Sequence, residues 1–205
     1  LNNDIFYEFI KVEEFLKGNL ARISLKDVEL NVNYLLIIST SAGLWSYNIG
    51  DTIKFTSLEP FRIIVTGRIK HFLSAFGEHV ISEEVEKAME AATKLHNVAI
   101  REFTVAPNIN PKEMLPHHEW YVEFESLPKD MLAFSKALDK EMTRLNIYYK
   151  DLIDGKILKS LEVISVIRGG FNQYMKSEGR LGGQNKVPRL SNDRKIADKL
   201  KTIST

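Results

Sequence analysis

The chain has 205 residues, 44% of them hydrophobic and 27% charged, with a formal net charge of +1. This is ordinary globular composition, enough for one good core or two small units. The near-zero charge supplies no global field for nucleic acid or a membrane surface, and the lack of cysteine excludes disulfides, thiolate zinc sites and a cysteine nucleophile.

No apolar run reaches the ~18 residues of a membrane span, and no signal peptide is visible. A cysteine-free chain fits a reducing, cytoplasmic compartment. Leu1 stands where an initiator Met would be, so the chain reads as a fragment of something longer.

Ile5 to Ile10 alternates and is rich in aromatics, which predicts a strand rather than an aromatic ligand shelf. Glu13 to Gly18 turns the chain, and Ala21 to Val32 alternates loosely. Tyr34 to Ser39 is a continuous apolar run, as in a strand covered on both faces. It leads into Tyr47-Asn48-Ile49-Gly50-Asp51, where the Gly-Asp pair predicts a tight turn that aims one carboxylate into open space. Ile53 to Phe55 then returns as a strand, Glu59-Pro60 breaks it, and Phe61 to Val65 forms another. Gly67-Arg68-Ile69-Lys70 follows. A sheet of this kind presents an acid, Asp51, and a guanidinium, Arg68, at neighbouring strand ends.

At Gly67 the texture changes, and a domain boundary is expected there, dividing 1–66 from 67–205. His71 to Ala75 predicts a small hairpin turning near Gly77. Ser82 followed by Glu83, Glu84 and Glu86 reads as an N-cap and acidic first turn, with Val85, Met89 and Ala92 as the apolar stripe. Val98 to Val105 and Trp120 to Phe124 read as strands, with the proline-bearing stretch 106–116 as a loop between them. Pro128 is expected to open a second helix whose apolar positions are Leu132, Phe134, Leu138 and Met142. Leu161 to Ile167 reads as the last strand. Helix, strand, strand, helix, strand predicts an α+β unit: a three-stranded sheet with helices on one face.

The order of the two signatures resembles the adenylate-forming superfamily of acyl-CoA synthetases, peptide-synthetase adenylation domains and luciferases. The tail narrows it. Leu145-Asn146-Ile147-Tyr148-Tyr149, Gly169-Gly170-Phe171 and Gly182-Gly183-Gln184-Asn185-Lys186-Val187-Pro188-Arg189 resemble the plant auxin-responsive acyl-acid amido synthetases (the Gretchen Hagen three family) and their bacterial relatives. Tyr7 to Ile10 and Ala42 to Tyr47 sit where that family has similar segments, so the resemblance spans Tyr7 to Arg189. It departs from the family at Gly170, usually Thr, and Asn185, usually Tyr. Ser46 and Asn48 replace residues commonly basic in the plant members, so plant substrate preferences are not carried over.

The resemblance implies a strand-rich end of a large adenylation domain followed by an α+β lid. It implies ATP and Mg²⁺, with a small carboxylic acid and an amino acid as substrates. Asp51 would hold the ribose hydroxyls, with Arg68 and Tyr47 assisting; Lys70 would be the hinge and Lys186 the catalytic cation on the lid. Simpler roles stand beside these: a turn-capping Asp51, a structurally paired Arg68, and solvated lysines at 70 and 186. The phosphate-gripping loop and acyl pocket lie in the family's first half, so a missing N-terminal half would be this chain's partner, and the chain alone should not catalyse. Ser39 to Gly43 resembles such a loop only superficially. A coenzyme A ligase of the same superfamily, or a binding module that kept the fold, are the alternatives.

His71, His79, His96, His117 and His118 lack metal-ligand spacing, and no protein-held metal is expected. The basic run from Lys186 to Lys201 contains Asp193 and Asp198 and no aromatics, which favours a solvated helix over a nucleic-acid patch.

Overall fold

The aromatic residues near the N terminus find their partners on the next two strands. In the computed structural model, which describes residues 4–69, 72–179 and 186–204, β1 (Ile5–Lys11), β2 (Asn33–Thr40), β3 (Tyr47–Leu58) and β4 (Phe61–Arg68) form an antiparallel sheet in that order. The short α1 (Val12–Leu16) follows β1. Phe9, Tyr34 and Phe55 meet edge to face, with ring centroids 5.3–6.1 Å apart, in one cluster. Their strand neighbours Ile10, Leu35 and Ile37 pack with Val12 and Ile69 in another. Adjacent strand residues point to opposite faces, so the middle of β2 is covered on both sides, as its unbroken apolar run predicts.

One expectation about this sheet is corrected. Gly50-Asp51 is not a turn. The chain reverses earlier, between Thr40 and Tyr47, and Gly50 and Asp51 lie inside the twelve-residue β3. There the β2–β3 register slips: Leu35 faces Thr52 but Ile37 faces Asn48. Gly50 takes the positive φ, +81°, that this bulge requires. A Gly-Asp pair serves a turn or a bulge, and only the partner strands decide which.

The chain divides into two compact units, Leu1–Lys70 and His71–Thr205. The second opens with a hairpin, β5 (Phe72–Leu73) and β6 (Val80–Ile81). It continues with α2 (Ser82–His96), β7 (Ile100–Asn108), β8 (His117–Phe124), α3 (Met131–Leu145), α4 (Ile147–Asp154), β9 (Glu162–Val166), α5 (Gly170–Ser177) and α6 (Lys195–Lys201). The sheet order is β7-β8-β9, antiparallel then parallel. The parallel step needs a crossover, and α3 and α4 supply it.

Helices lie on both faces, not one. Trp120, Val122 and Phe124 share a core with α2, α3 and α4, whereas Tyr121 shares another with α5 and α6. All eight residues of β8 are therefore buried. The acidic first turn of α2 is where expected, but Ser82 is its first residue rather than its cap: Ile81 is the N-cap, and its N–H donates to Glu84 at 3.0 Å. Pro128 does not open α3; Asp130 caps it, accepting from the Ala133 N–H at 2.9 Å. Leu132 is exposed, and Met131 packs in its place. Among the described residues no helix is long and apolar enough to cross a membrane.

Candidate functional site

Cross-strand register sets the first group. Asp51 lies opposite Arg68 in the β3–β4 ladder, and Arg68 Nε stands 2.9 Å from Asp51 Oδ1. Beside them, the buried hydroxyls of Thr52, next after Asp51, and Thr66, two before Arg68, bond at 3.0 Å and tie the two strands together. The Ile69 N–H donates to the Gly50 carbonyl at 2.8 Å, which carries the chain past the bulge. The acid and guanidinium side chains are 28% and 65% exposed. A pair this open contributes only about 0–1 kcal/mol to stability, so a purely structural role gives it little purpose. A carboxylate offers two acceptor oxygens, a match for a vicinal diol. Asp51 and Arg68 thus come together; Tyr47, at the start of the same strand, is also exposed.

A second feature of this unit escaped the sequence. Trp45, 82% exposed, lines an open groove of about 450 Å³ with Asp4, Phe6 and Ser39 to Ser41. The connection that carries it is tethered by Arg22, which contacts both Ser46 and Glu8. A Trp two residues after Gly43 was the available signal.

In the other unit, Lys186 is exposed and stands immediately before a well-anchored run. Val187 and Leu190 are buried. The Pro188 carbonyl accepts from the Thr104 hydroxyl at 2.7 Å, the Arg189 carbonyl from the Val105 N–H at 2.9 Å, and the Ser191 N–H donates to the Val105 carbonyl at 3.0 Å. Lys70, the expected hinge, and residues 182–185 of the tail motif lie outside the described residues.

The basic tail is not simply solvated, which corrects the sequence reading. Arg194 reaches the buried Glu119 at 2.7 Å and the Pro107 carbonyl at 2.9 Å. Tyr121 donates to the same carboxylate at 2.8 Å and Asn108 at 2.9 Å. Burial alone would raise the Glu119 pKa; the bonds from Arg194 and Tyr121 outweigh it and hold the carboxyl below its ordinary value. Arg189 is likewise engaged, with Glu102 and Glu86.

The adjacent histidines diverge, as alternation requires. His118 meets Glu78 at 2.9 Å, both fully buried, with the ring stacked near Phe76 and Tyr149. Burial would raise the Glu78 pKa, but the His118 bond holds it below the usual value. His117 Nε2 lies 3.2 Å from Glu162, and burial pushes its pKa down. Among the described residues no group of three or more His, Cys, Asp or Glu could hold a metal ion.

Comparison with known proteins places these features in context. The sequence profile described as the GH3 family central domain matches residues 1–68, and that of the GH3 family C-terminal domain matches residues 83–195. The chain is 27% identical over 206 residues to the indole-3-acetic acid-amido synthetase GH3.4 of Arabidopsis thaliana, covering 91% of this chain and 34% of that protein. It is 25% identical over 209 residues to the indole-3-acetic acid-amido synthetase GH3.8 of Oryza sativa subsp. indica, covering 90% and 33%. The chain thus spans about a third of the length of the curated relatives it matches. Among solved structures, the GH3.15 acyl acid amido synthetase shares the fold with a TM-score of 0.72 at 22% identity, over 98% of this chain and 37% of that one. A 2-hydroxyisobutyryl-CoA ligase in the postadenylation state with 2-HIB-AMP follows at 0.55 and 13%, over 97% and 39%.

Proposed function

This chain belongs to the GH3 family, and on that premise we propose that it is the C-terminal part of an ATP-dependent ligase joining a carboxylic acid to an amino acid through an acyl-adenylate. The observation that carries this reading is the open Asp51–Arg68 pair across β3 and β4. The amido synthetase names of the relatives support the acceptor class.

In this chemistry the substrate carboxylate attacks the α-phosphate of ATP and expels pyrophosphate. The amine then attacks the acyl carbon and releases AMP. No nucleophile on the protein is needed, so catalysis is alignment and charge neutralisation. Asp51 accepts from both ribose hydroxyls, at about 1.5–3 kcal/mol per charged hydrogen bond. Arg68 orients the carboxylate from one side, and Tyr47 offers a ring on the same strand. Lys186 brings a compact charge on a long stem to the phosphate. Lys70 is assigned the hinge between the units. Mg²⁺ supplies charge neutralisation on the nucleotide's phosphate oxygens; the described residues hold no cluster suited to bind it directly.

The partners are therefore a small acid, an amino acid and the N-terminal part of the same protein, with neither nucleic acid nor membrane involved. The setting is cytoplasmic, and the chain alone is inactive because phosphate loop and acyl pocket lie elsewhere. Acid-dependent exchange of pyrophosphate into ATP by the full-length protein, followed by amine-dependent consumption of the acyl-adenylate, tests the whole reading. Exchange with consumption by coenzyme A instead would reassign it as a thioester ligase. No exchange with any carboxylic acid would leave a binding module.

A further inference from the structure

Lys186 is exposed, yet the residues after it are held like a strand. Leu190 bridges Val105 in parallel, so 187–191 extends the sheet along the free edge of β7. Arg189 fixes this run from its side chain as well as its backbone. Its guanidinium lies 4.5 Å over the Phe103 ring and donates to the Phe103 carbonyl at 3.1 Å. It also pairs with Glu102, and with Glu86 of α2 at 3.4 Å. Phe103 is itself stacked on the fully buried Trp120, with centroids 5.7 Å apart and planes 9° apart. The plane on which the guanidinium rests is thus set by the core. A planar five-donor fork can stack, bond a carbonyl and pair two acids together; an ammonium cannot.

We propose that Arg189 is a positioning residue that fixes the point from which Lys186 reaches the reacting phosphate. This rests on the assignment of Lys186 above. Arg189 stands three positions after Lys186, a lever of roughly 10 Å in extended chain. Burial of Val187 and Leu190 and the backbone bonds to Val105 keep the run attached when Arg189 is removed. What is lost is the exact pitch of the run, and an ångström of misplacement costs about a hundredfold in rate.

The test uses acid-dependent pyrophosphate exchange in the full-length protein. Arg189→Ala is expected to lower kcat roughly 10- to 100-fold with the KM for ATP little changed. Arg189→Lys keeps the charge without the fork and is expected to recover only a small part. In a Lys186→Ala background, Arg189→Ala is expected to cost nothing further, because a residue that acts only through Lys186 has nothing left to position. An unchanged kcat in Arg189→Ala, or the same loss with and without Lys186, overturns the proposal. If Lys186→Ala alone exchanges normally, the assignment of the lysine fails first and takes the proposal with it. Should Arg189→Ala not fold, Arg189→Lys in both backgrounds carries the same test.

Discussion

Two acid–guanidinium pairs, one in each unit, show what separates a binding group from a staple. Glu119 and Arg194 meet inside the second unit, where the carboxylate also takes bonds from Tyr121 and Asn108. Both carboxylate oxygens are committed, and the acid is 4% exposed. Asp51 and Arg68 meet across a bulged ladder, with the guanidinium exposed and the acid partly so. The chemistry is the same; burial and the number of donors differ. A saturated buried pair can only hold structure, whereas an open one keeps acceptor capacity for a ligand.

The largest expected effect follows from that difference. Glu119→Ala takes the buried acid from a half-buried guanidinium that keeps Asp198 and the Pro107 carbonyl, strands the Tyr121 and Asn108 donors, and is expected to cost about 3 kcal/mol in urea unfolding of the chain. Asp51→Ala is expected to cost less than about 1 kcal/mol. Equal costs would erase the distinction.

Gly170 sharpens it next, because the core around α5 is as closed as the Glu119 site. A Cβ there would lie 2.4 Å from Val166 Cγ1 and 3.2 Å from Ile203 Cγ2. Gly170→Ala is expected to destabilise by about 1–3 kcal/mol, and adding Val166→Ala should recover part of the loss. Additive losses in the double variant would show that Val166 is not the obstacle.

Acid should loosen the second unit by a smaller and graded amount. Burial lowers the His117 pKa, so the unfolded chain takes up that proton more readily and stability falls as the pH drops below about 6.5. Glu78 and Glu119 have folded pKa values below their ordinary ones. Their contribution is present above the usual carboxylate range and is lost as the pH falls through their folded values. Glu119→Gln should flatten the lower part of this profile in urea unfolding at stepped pH. An unaltered slope would take Glu119 out of the acid response.

How much was legible follows the same line between local and distant partners. The strands of the first unit announce themselves, because apolar alternation and the Glu59-Pro60 break are local signals. The types of Asp51 and Arg68 were readable too, but not the bulge, since Gly50's role depends on how β2 pairs. In β8, Glu119 and Glu123 interrupt an apolar strand and resemble solvent-facing residues. Their partners lie far along the chain: Arg194 for one, the backbone N–H groups of Gly169 and Phe171 for the other. That distance hid the second helical face. α4 and α5 are eight residues each, and α5 is capped by Glu123 from another element rather than by a neighbour in sequence. The tail motif drew attention to Lys186 and Arg189, while the acids that seat Arg189 sit on α2 and β7.

The most direct measurement is the ATP dependence of pyrophosphate exchange in the full-length protein carrying Asp51→Asn. Asparagine keeps the shape but removes the charge that strengthens the bonds to a diol. The KM for ATP should rise about tenfold or more, with the KM for the acid and the urea midpoint unchanged. An unchanged KM for ATP would contradict the assignment of this open carboxylate to the nucleotide.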